Sequence, residues 1–352
     1  NPLACMVTRA KSLPLDTRRL KEARDSLLNG LTDDLRETRH EYEKEQLELG
    51  QNSAVRDGWF PEPQLSELLC IRQRINRIRD EYGVDIARLF RVTLSAITRK
   101  VSYQRNGEYK RYRMPEEKRA NHDPDVLELF QSELRSSIEL MREYSNRVDH
   151  SLTTTVHYSD SRTATDNENP VAENSADVVI TSPPYGDHRT TVAYGQFSQD
   201  PAIIAGDYGY DEMKNVDKNG LGGSNSDLKP MEELEEWSPS FGATMDTLRE
   251  KDGRADDAMR FVRDYFEVMK EVGKILKPGQ PAAWVVANRT MSRVNIPLHL
   301  VTRELCEELG YEHHATLPRE IPTKTLPWEN APENVAEQKG ELMADENIVV
   351  MW

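Results

Sequence analysis

The run "DVVITSPPYGD" (residues 177–187) holds the residues best suited to chemistry. An apolar, partly β-branched stretch led by Asp177 runs into Thr181-Ser182-Pro183-Pro184-Tyr185. Each proline fixes its own φ, removes a backbone donor and pushes the residue before it into extended geometry. Such a corner presents a serine hydroxyl, bare carbonyls and a phenol ring in a fixed array. The array suits a planar base with an exocyclic amine, whose lone pair is delocalised into the ring. Accepting both amine protons, on Ser182 Oγ and the Pro183 carbonyl, biases the nitrogen toward sp³ and frees that pair. Tyr185 stacks on the base, which reaches the corner flipped out of a duplex or already single-stranded. The electrophile is then a methyl on a sulfonium, attacked in line. A turn without chemistry is the alternative. With proline at about 5% of residues, a chance Ser/Asp/Asn-Pro-Pro-Tyr in a chain this long is of order one in a hundred.

The elements around the corner follow the rhythm of an α/β sheet. The apolar run predicts a buried strand with the corner at its carboxyl end, where ligands of open α/β sheets sit. "TTVHYSDSRT" starts strand-like and passes Asp160. Residues 199–258, with "KNGLGGSNSD" and an acidic excess, predict a loop-rich insertion or lid. "AMRFVRDYFEVMKEVGKILKPG" predicts an amphipathic helix closed by Pro278-Gly279, and "QPAAWVVANRT" a buried strand. "PLHLVTRELCEELGY" predicts a helix with Gly310 at its C-terminal end. "EHHATLPREI" and "ENIVVMW" predict two final, paired strands. Asn288, ending a strand, is a candidate pocket residue, and His313 and His314 read as structural.

Upstream, residues 17–150 predict an almost wholly helical region. "TRRLKEARDSLLNGLTDDLRETRHEYEKEQLEL" suits a long exposed helix or a helical hairpin, "GWFPEPQ" breaks the pattern, and three amphipathic segments follow. Before them, Asn1 caps a helix with Pro2 in its first turn, and Leu3, Met6, Val7 and Ala10 share one face. A buried helix as the first element predicts a chain that starts inside a domain.

Residues 99–119 carry eight basic side chains (Arg99, Lys100, Arg105, Lys110, Arg111, Arg113, Lys118, Arg119) and three acidic ones (Glu108, Glu116, Glu117), a balance of +5. Tyr103, Tyr109 and Tyr112 are interleaved with them. Basic residues mixed with aromatics suit phosphate contact and base stacking. A solvated loop paired with acidic neighbours is the alternative. After the corner, Asp187, His188 and Arg189 suit DNA contact or ordering of the loop.

The 352-residue chain has 61 acidic and 46 basic residues, a net charge of −15, with 31 arginines against 15 lysines. Excess acid with scarce lysine suits a protein of a high-salt, halophilic cytoplasm. A net negative charge does not exclude nucleic acid, which needs only a local basic face. Cys5, Cys70 and Cys306 show no paired metal spacing and read as reduced thiols of an intracellular, cytoplasmic protein. No Cys/His constellation predicts a metal, and no apolar run of about 18 residues predicts a membrane span. No nucleophile-plus-base pair is visible, and direct amine methylation needs no covalent intermediate.

The corner resembles motif IV of the amino-methyltransferases, S-adenosylmethionine-dependent enzymes that methylate exocyclic amines of DNA bases. Its Ser-Pro-Pro-Tyr form is usual among cytosine-N4 enzymes, whereas Asp-Pro-Pro-Tyr and Asn-Pro-Pro-Tyr are commoner among adenine-N6 enzymes. "GDHRTTVAYGQFS", "GWFPEP", "SAITRKVSYQRNGEYKRYR" and "ILKPGQPAAWVVANRT … REIPTKTLP" resemble one branch of these enzymes, so the resemblance covers most of the chain. It implies an α/β fold, a Rossmann-like methyltransferase sheet with a large helical insertion. Residues 1–16 then start the methyltransferase domain. Residues 17–150 form the helical insertion and DNA-recognition region, and residues 151–352 the catalytic domain, with the loop-rich insertion at 199–258. Ser182, Pro183, Pro184 and Tyr185 match the catalytic tetrad. Asn1 and Pro2 match the helix start just past the ribose-holding acid, and Asp160 matches the position that contacts the cofactor adenine. Thr181 and Ser182 complete the implied S-adenosylmethionine set. Arg99, Lys100, Arg105, Lys110, Arg111, Arg113, His188 and Arg189 are the implied DNA contacts.

One departure stands out. The family's Phe-x-Gly-x-Gly cofactor loop is absent, and "GLGG" (Gly220–Gly223) lacks the strand before it and the helix after it. The expectation is that the loop was truncated or lies on another chain. The implied function is cytosine-N4 methylation of DNA for restriction-modification or host marking, with a cognate restriction endonuclease as a possible partner. The alternatives are an adenine-N6 DNA enzyme, an RNA guanine-N2 or protein glutamine enzyme, or a non-catalytic DNA-binding partner subunit.

Overall fold

The computed structural model describes residues 1–40, 58–105, 111–186, 193–206, 208–224, 229, 231–251, 254–320, 329–330, 340–341 and 345–352. They divide into two compact units, Asn1–Tyr158 with Ala193–Val216, and Ser159–Val192 with Asp217–Trp352.

The first unit is helical. Its helices are α1 (Pro2–Ser12), α2 (Thr17–Leu28), α3 (Leu31–His40), α4 (Glu62–Tyr82), α5 (Val84–Val101), α6 (Glu116–Ala120), α7 (Val126–Arg147), α8 (Tyr194–Ala205) and most of α9 (Tyr210–Asn219). Side-chain caps set several starts. Asn1 Oδ1 accepts from Leu3 N, Asp16 from Arg19 N and Asp125 from Glu128 N, each satisfying a backbone donor the helix cannot. Gly30 (φ +71°) and Gly83 (φ +100°) turn the chain between α2 and α3 and between α4 and α5, in conformations that favour glycine. The middle of the unit is α5, with Phe90, Leu94, Ile97 and Val101 fully buried against α1, α4, α7 and α8. The polar segment expected to be exposed instead buries Leu20, Leu27, Leu31 and Leu35. Leucines at helical spacing drive one face inward even where most neighbours are charged.

The second unit is mixed α/β. Its strands are β1 (Val179–Thr181), β2 (Ala282–Ala287), β3 (Arg289–Met291), β4 (Val294–Ile296), β5 (His313–Glu320), β6 (Glu329–Asn330), β7 (Gly340–Glu341) and β8 (Asp345–Met351). Its helices are α10 (Glu233–Trp237), α11 (Pro239–Glu250), α12 (Ala255–Ile275) and α13 (Leu298–Glu308). The main sheet runs β1-β2-β8-β5, with β1 parallel to β2 and β8 antiparallel to both its neighbours. Two short antiparallel pairs, β3-β4 and β6-β7, stand apart from it. Along β2, Ala282, Trp284 and Val286 alternate into the core. The Tyr265 ring of α12 meets Trp284 edge-on at 5.7 Å, and its hydroxyl lies 3.1 Å from Thr302 Oγ1 of α13. The final strands pair as the sequence predicts.

Two expectations are corrected. The strand before the corner is not buried: β1 is a three-residue edge strand with Ile180 75% exposed. An apolar run shows strand tendency, but burial depends on what packs against it, and β1 is paired on one edge alone among the described residues. The described part of residues 199–258 is not loop-rich. They hold much of α8, all of α9, α10 and α11, and the first turn of α12. Ser238 Oγ accepts from Phe241 N as the cap of α11, Pro239 starts that helix, and Phe241, Met245 and Leu248 bury one face.

Candidate functional site

The corner lies in the second unit, at the carboxyl end of β1. Pro183 and Gly186 are buried, Ser182 and Pro184 are exposed, and Tyr185 is half-buried. Buried Pro183 fixes the turn while its neighbour Ser182 faces out. Ser182 Oγ stands 3.5 Å from the Tyr185 hydroxyl. That hydroxyl donates to Glu346 Oε1 at 2.6 Å, and Arg319 Nη1 lies 3.2 Å from Glu346 Oε2. Sheet register explains the group: Glu346 at the start of β8 is opposite Ala287 at the end of β2 on one side and Arg319 of β5 on the other. A strand running against β1 and β2 thus brings its first residues to their carboxyl ends. Gly186 has a steric reason, since a Cβ there would come within 2.7 Å of the buried Arg289 side chain. Sequence reasoning assigned none of Glu346, Arg319 and Arg289 a role, and strand register is what brings Glu346 and Arg319 together.

Asn288, the candidate pocket residue, links β2 to β3. Its Oδ1 is 2.7 Å from His299 Nδ1, which places the proton on that nitrogen because a carbonyl oxygen only accepts. Burial, helped by Arg303, holds the His299 pKa below its usual value. His313 Nε2 lies 2.9 Å from Thr316 Oγ1, and the His314 ring sits edge-on to Trp352.

Asp160 caps a single 3-10 turn, Ser161–Thr163, and its carboxylate takes three bonds from the Arg162 guanidinium besides one from Arg162 N. Burial pushes its pKa up, but the Arg162 hydrogen bonds outweigh this and hold it below the ordinary value. Arg162 also donates to the fully buried Asp264 and to the Asn219 carbonyl, and Asp264 accepts from Gly222 N at 2.8 Å. Asp160 and the Gly220–Gly223 turn are therefore tied through one arginine. That turn follows a helix, α9, and not a strand.

Asn1 and Pro2 belong to the first unit, whereas Asp160, Thr181 and Ser182 belong to the second. Asn1 Nδ2 donates to Ser198 Oγ, its Oδ1 caps α1, and Pro2 is buried.

The basic segment, also in the first unit, is anchored by a small antiparallel ribbon. Arg105 N donates to the Tyr112 carbonyl and Met114 N to that of Tyr103. The intervening tip, with Lys110, lies outside the described residues, as do Asp187, His188 and Arg189. Lys100 and Arg105 are exposed, and Arg99 lies 5.2 Å over the Phe197 ring. Arg113 donates to the Gly58 carbonyl. Arg111 departs from its expected role as a DNA contact. Its side chain is 5% exposed, stacked 4.1 Å over Trp59, paired with Asp200 and bonded to the Gln196 carbonyl. A guanidinium taken out of water needs such partners, and they hold it inside the fold.

Among the described residues no group of three His, Cys, Asp or Glu is placed to hold a metal ion, and no helix is long and apolar enough to cross a membrane.

A mixed α/β unit with a polar-aromatic corner at the carboxyl end of a strand is an arrangement that methyltransferases use. The chain is 30% identical to the Type II methyltransferase M.MvaI of Kocuria varians over 364 aligned positions, which cover all of this chain and 78% of that protein. It belongs to the Type II DNA methyltransferase family. No family model matches the chain, and no solved structure matches it significantly.

Proposed function

We propose that the chain methylates an exocyclic base amine of DNA, cytosine N4, from S-adenosylmethionine. The observation that carries the reading is the corner itself, with Ser182 exposed beside a half-buried Tyr185 at the end of β1. Bound S-adenosylmethionine supplies an electrophilic methyl. Ser182 Oγ and the Pro183 carbonyl accept the two amine protons, which concentrates the lone pair on nitrogen. The Tyr185 ring stacks on the base, worth about 1–3 kcal/mol for a nucleobase on an aromatic side chain. The Ser-Pro-Pro-Tyr form supports cytosine N4 over adenine N6, and the Type II relative supports a restriction-modification setting.

The sheet supports a Rossmann-like reading: β1, β2 and β5 run one way and β8 the other. Toward the cofactor, Asp160 fits in part. Its side chain is 43% exposed, and a carboxylate keeps acceptor capacity beyond the Arg162 bonds for an adenine amine. Thr181 and Ser182 would line the same strand end. Asn1 and Pro2 act in this reading through α1, as cap and first turn. Among the described basic residues, Arg99, Lys100, Arg105 and Arg113 remain the proposed DNA contacts, joined by Lys110 of the same segment and by His188 and Arg189, which follow the corner in sequence.

The test is transfer of labelled methyl to duplex DNA by the complete protein. Ser182→Ala removes an acceptor used by the reacting amine and should slow transfer at least about tenfold, the scale of one hydrogen bond to a group gaining charge. Wild-type transfer by Ser182→Ala would reject the assignment.

A further inference from the structure

We propose that Glu346 is a positioning residue that sets the hydrogen-bond polarity of the corner, and so makes it selective for a base amine. The inference rests on the reading of Ser182 and Tyr185 given above. Glu346 is 14% exposed in its side chain and sits in a ladder between Ala287 and Arg319, so a rigid sheet fixes its place. Its Oε2 faces Arg319 and its Oε1 accepts from Tyr185. A carboxylate can only accept, and a phenol has one proton. The proton of Tyr185 is therefore committed to Glu346, in a short, charge-assisted bond. Toward Ser182, 3.5 Å away, the Tyr185 oxygen can then act only as an acceptor. The Ser182 hydroxyl proton points along that line, and its lone pairs face outward.

The chain of polarity runs Ser182 to Tyr185 to Glu346. An outward lone pair welcomes the amine of a cytosine or adenine. It repels the carbonyl oxygen that thymine or uracil carries at the equivalent ring position. The same bond pins the far end of the Tyr185 ring, so the stacking face does not swing. Glutamine at 346 would break the logic without changing the shape. Its amide can donate as well as accept, so the line can reverse and turn the serine proton outward.

The experiment is a double-mutant cycle on methyl transfer to plasmid DNA by the complete protein, with kcat, KM for DNA and Tm measured for each variant. Tyr185→Phe removes the donor and Glu346→Gln removes the obligate acceptor. Each should lower kcat about tenfold, the scale of one charge-assisted hydrogen bond, with KM for DNA and Tm close to wild type. The double variant should lose about tenfold as well and not about a hundredfold, because both changes cut one connection. Wild-type kcat in Glu346→Gln, or additive losses in the double variant, would overturn the inference. Tyr185→Ala separates this from the function itself: if it transfers methyl at the wild-type rate, the base-stacking role fails, whereas if it alone is inactive, only the role of Glu346 fails.

Discussion

Ser182 and Tyr185 are three residues apart in sequence, and the turn built by Pro183 and Pro184 brings their hydroxyls to 3.5 Å. This part was legible in the sequence, because prolines act on neighbouring dihedrals and need no tertiary information. Glu346 was not legible, since it is 161 residues from Tyr185 and meets it only through strand register. Asp160 shows the converse. Its position was readable, but its bidentate tie to Arg162 required the 3-10 turn. That tie gives a pH dependence. The folded pKa lies below the ordinary aspartate value of about 3.9, so the contribution to stability is present at neutral pH. It is lost as pH falls through the lowered value. Thermal unfolding followed from neutral to acid pH should show a shallower acid decline for Asp160→Asn than for wild type, and equal slopes would contradict the assignment.

At the scale of elements, three- and four-residue spacing made α4, α5, α7, α12 and α13 readable, because each buries one stripe. The helices α9, α10 and α11, inside residues 199–258, were missed. The glycines of "KNGLGGSNSD" and the acidic runs dominate that stretch, although Phe241, Met245 and Leu248 carry a helical spacing. The basic segment was legible as a charge contrast, but not which charge turns inward. Arg111 stacks on Trp59 and pairs with Asp200, so Arg111→Ala strands a buried carboxylate. Breaking such a pair costs about 3–5 kcal/mol, whereas Lys100→Ala, at an exposed pair with Glu133, should cost about 0–1 kcal/mol. Denaturant unfolding checks both. In DNA binding the order reverses: Lys100→Ala should lower the salt dependence by about one phosphate contact. Equal stability of the two variants would remove Arg111 from the fold's framework.

At the scale of the molecule, the thiols report on packing. Cys306 is fully buried in α13 and burial pushes its pKa well up, while Cys5 and Cys70 are half-buried. Cys306 should stay unreactive toward a thiol reagent until global unfolding, and fast labelling in the folded protein would contradict that core. The excess of acid and arginine was plain in the composition, but its division between surface and interior needed the fold. The central claim concerns the product. After transfer from methyl-labelled S-adenosylmethionine to duplex DNA by the complete protein, the DNA is digested to nucleosides and the label is located by chromatography. The account predicts the label in N4-methylcytosine and its loss in Ser182→Ala. Label in N6-methyladenine would contradict the assigned base, and label in neither would contradict amine methylation by this corner.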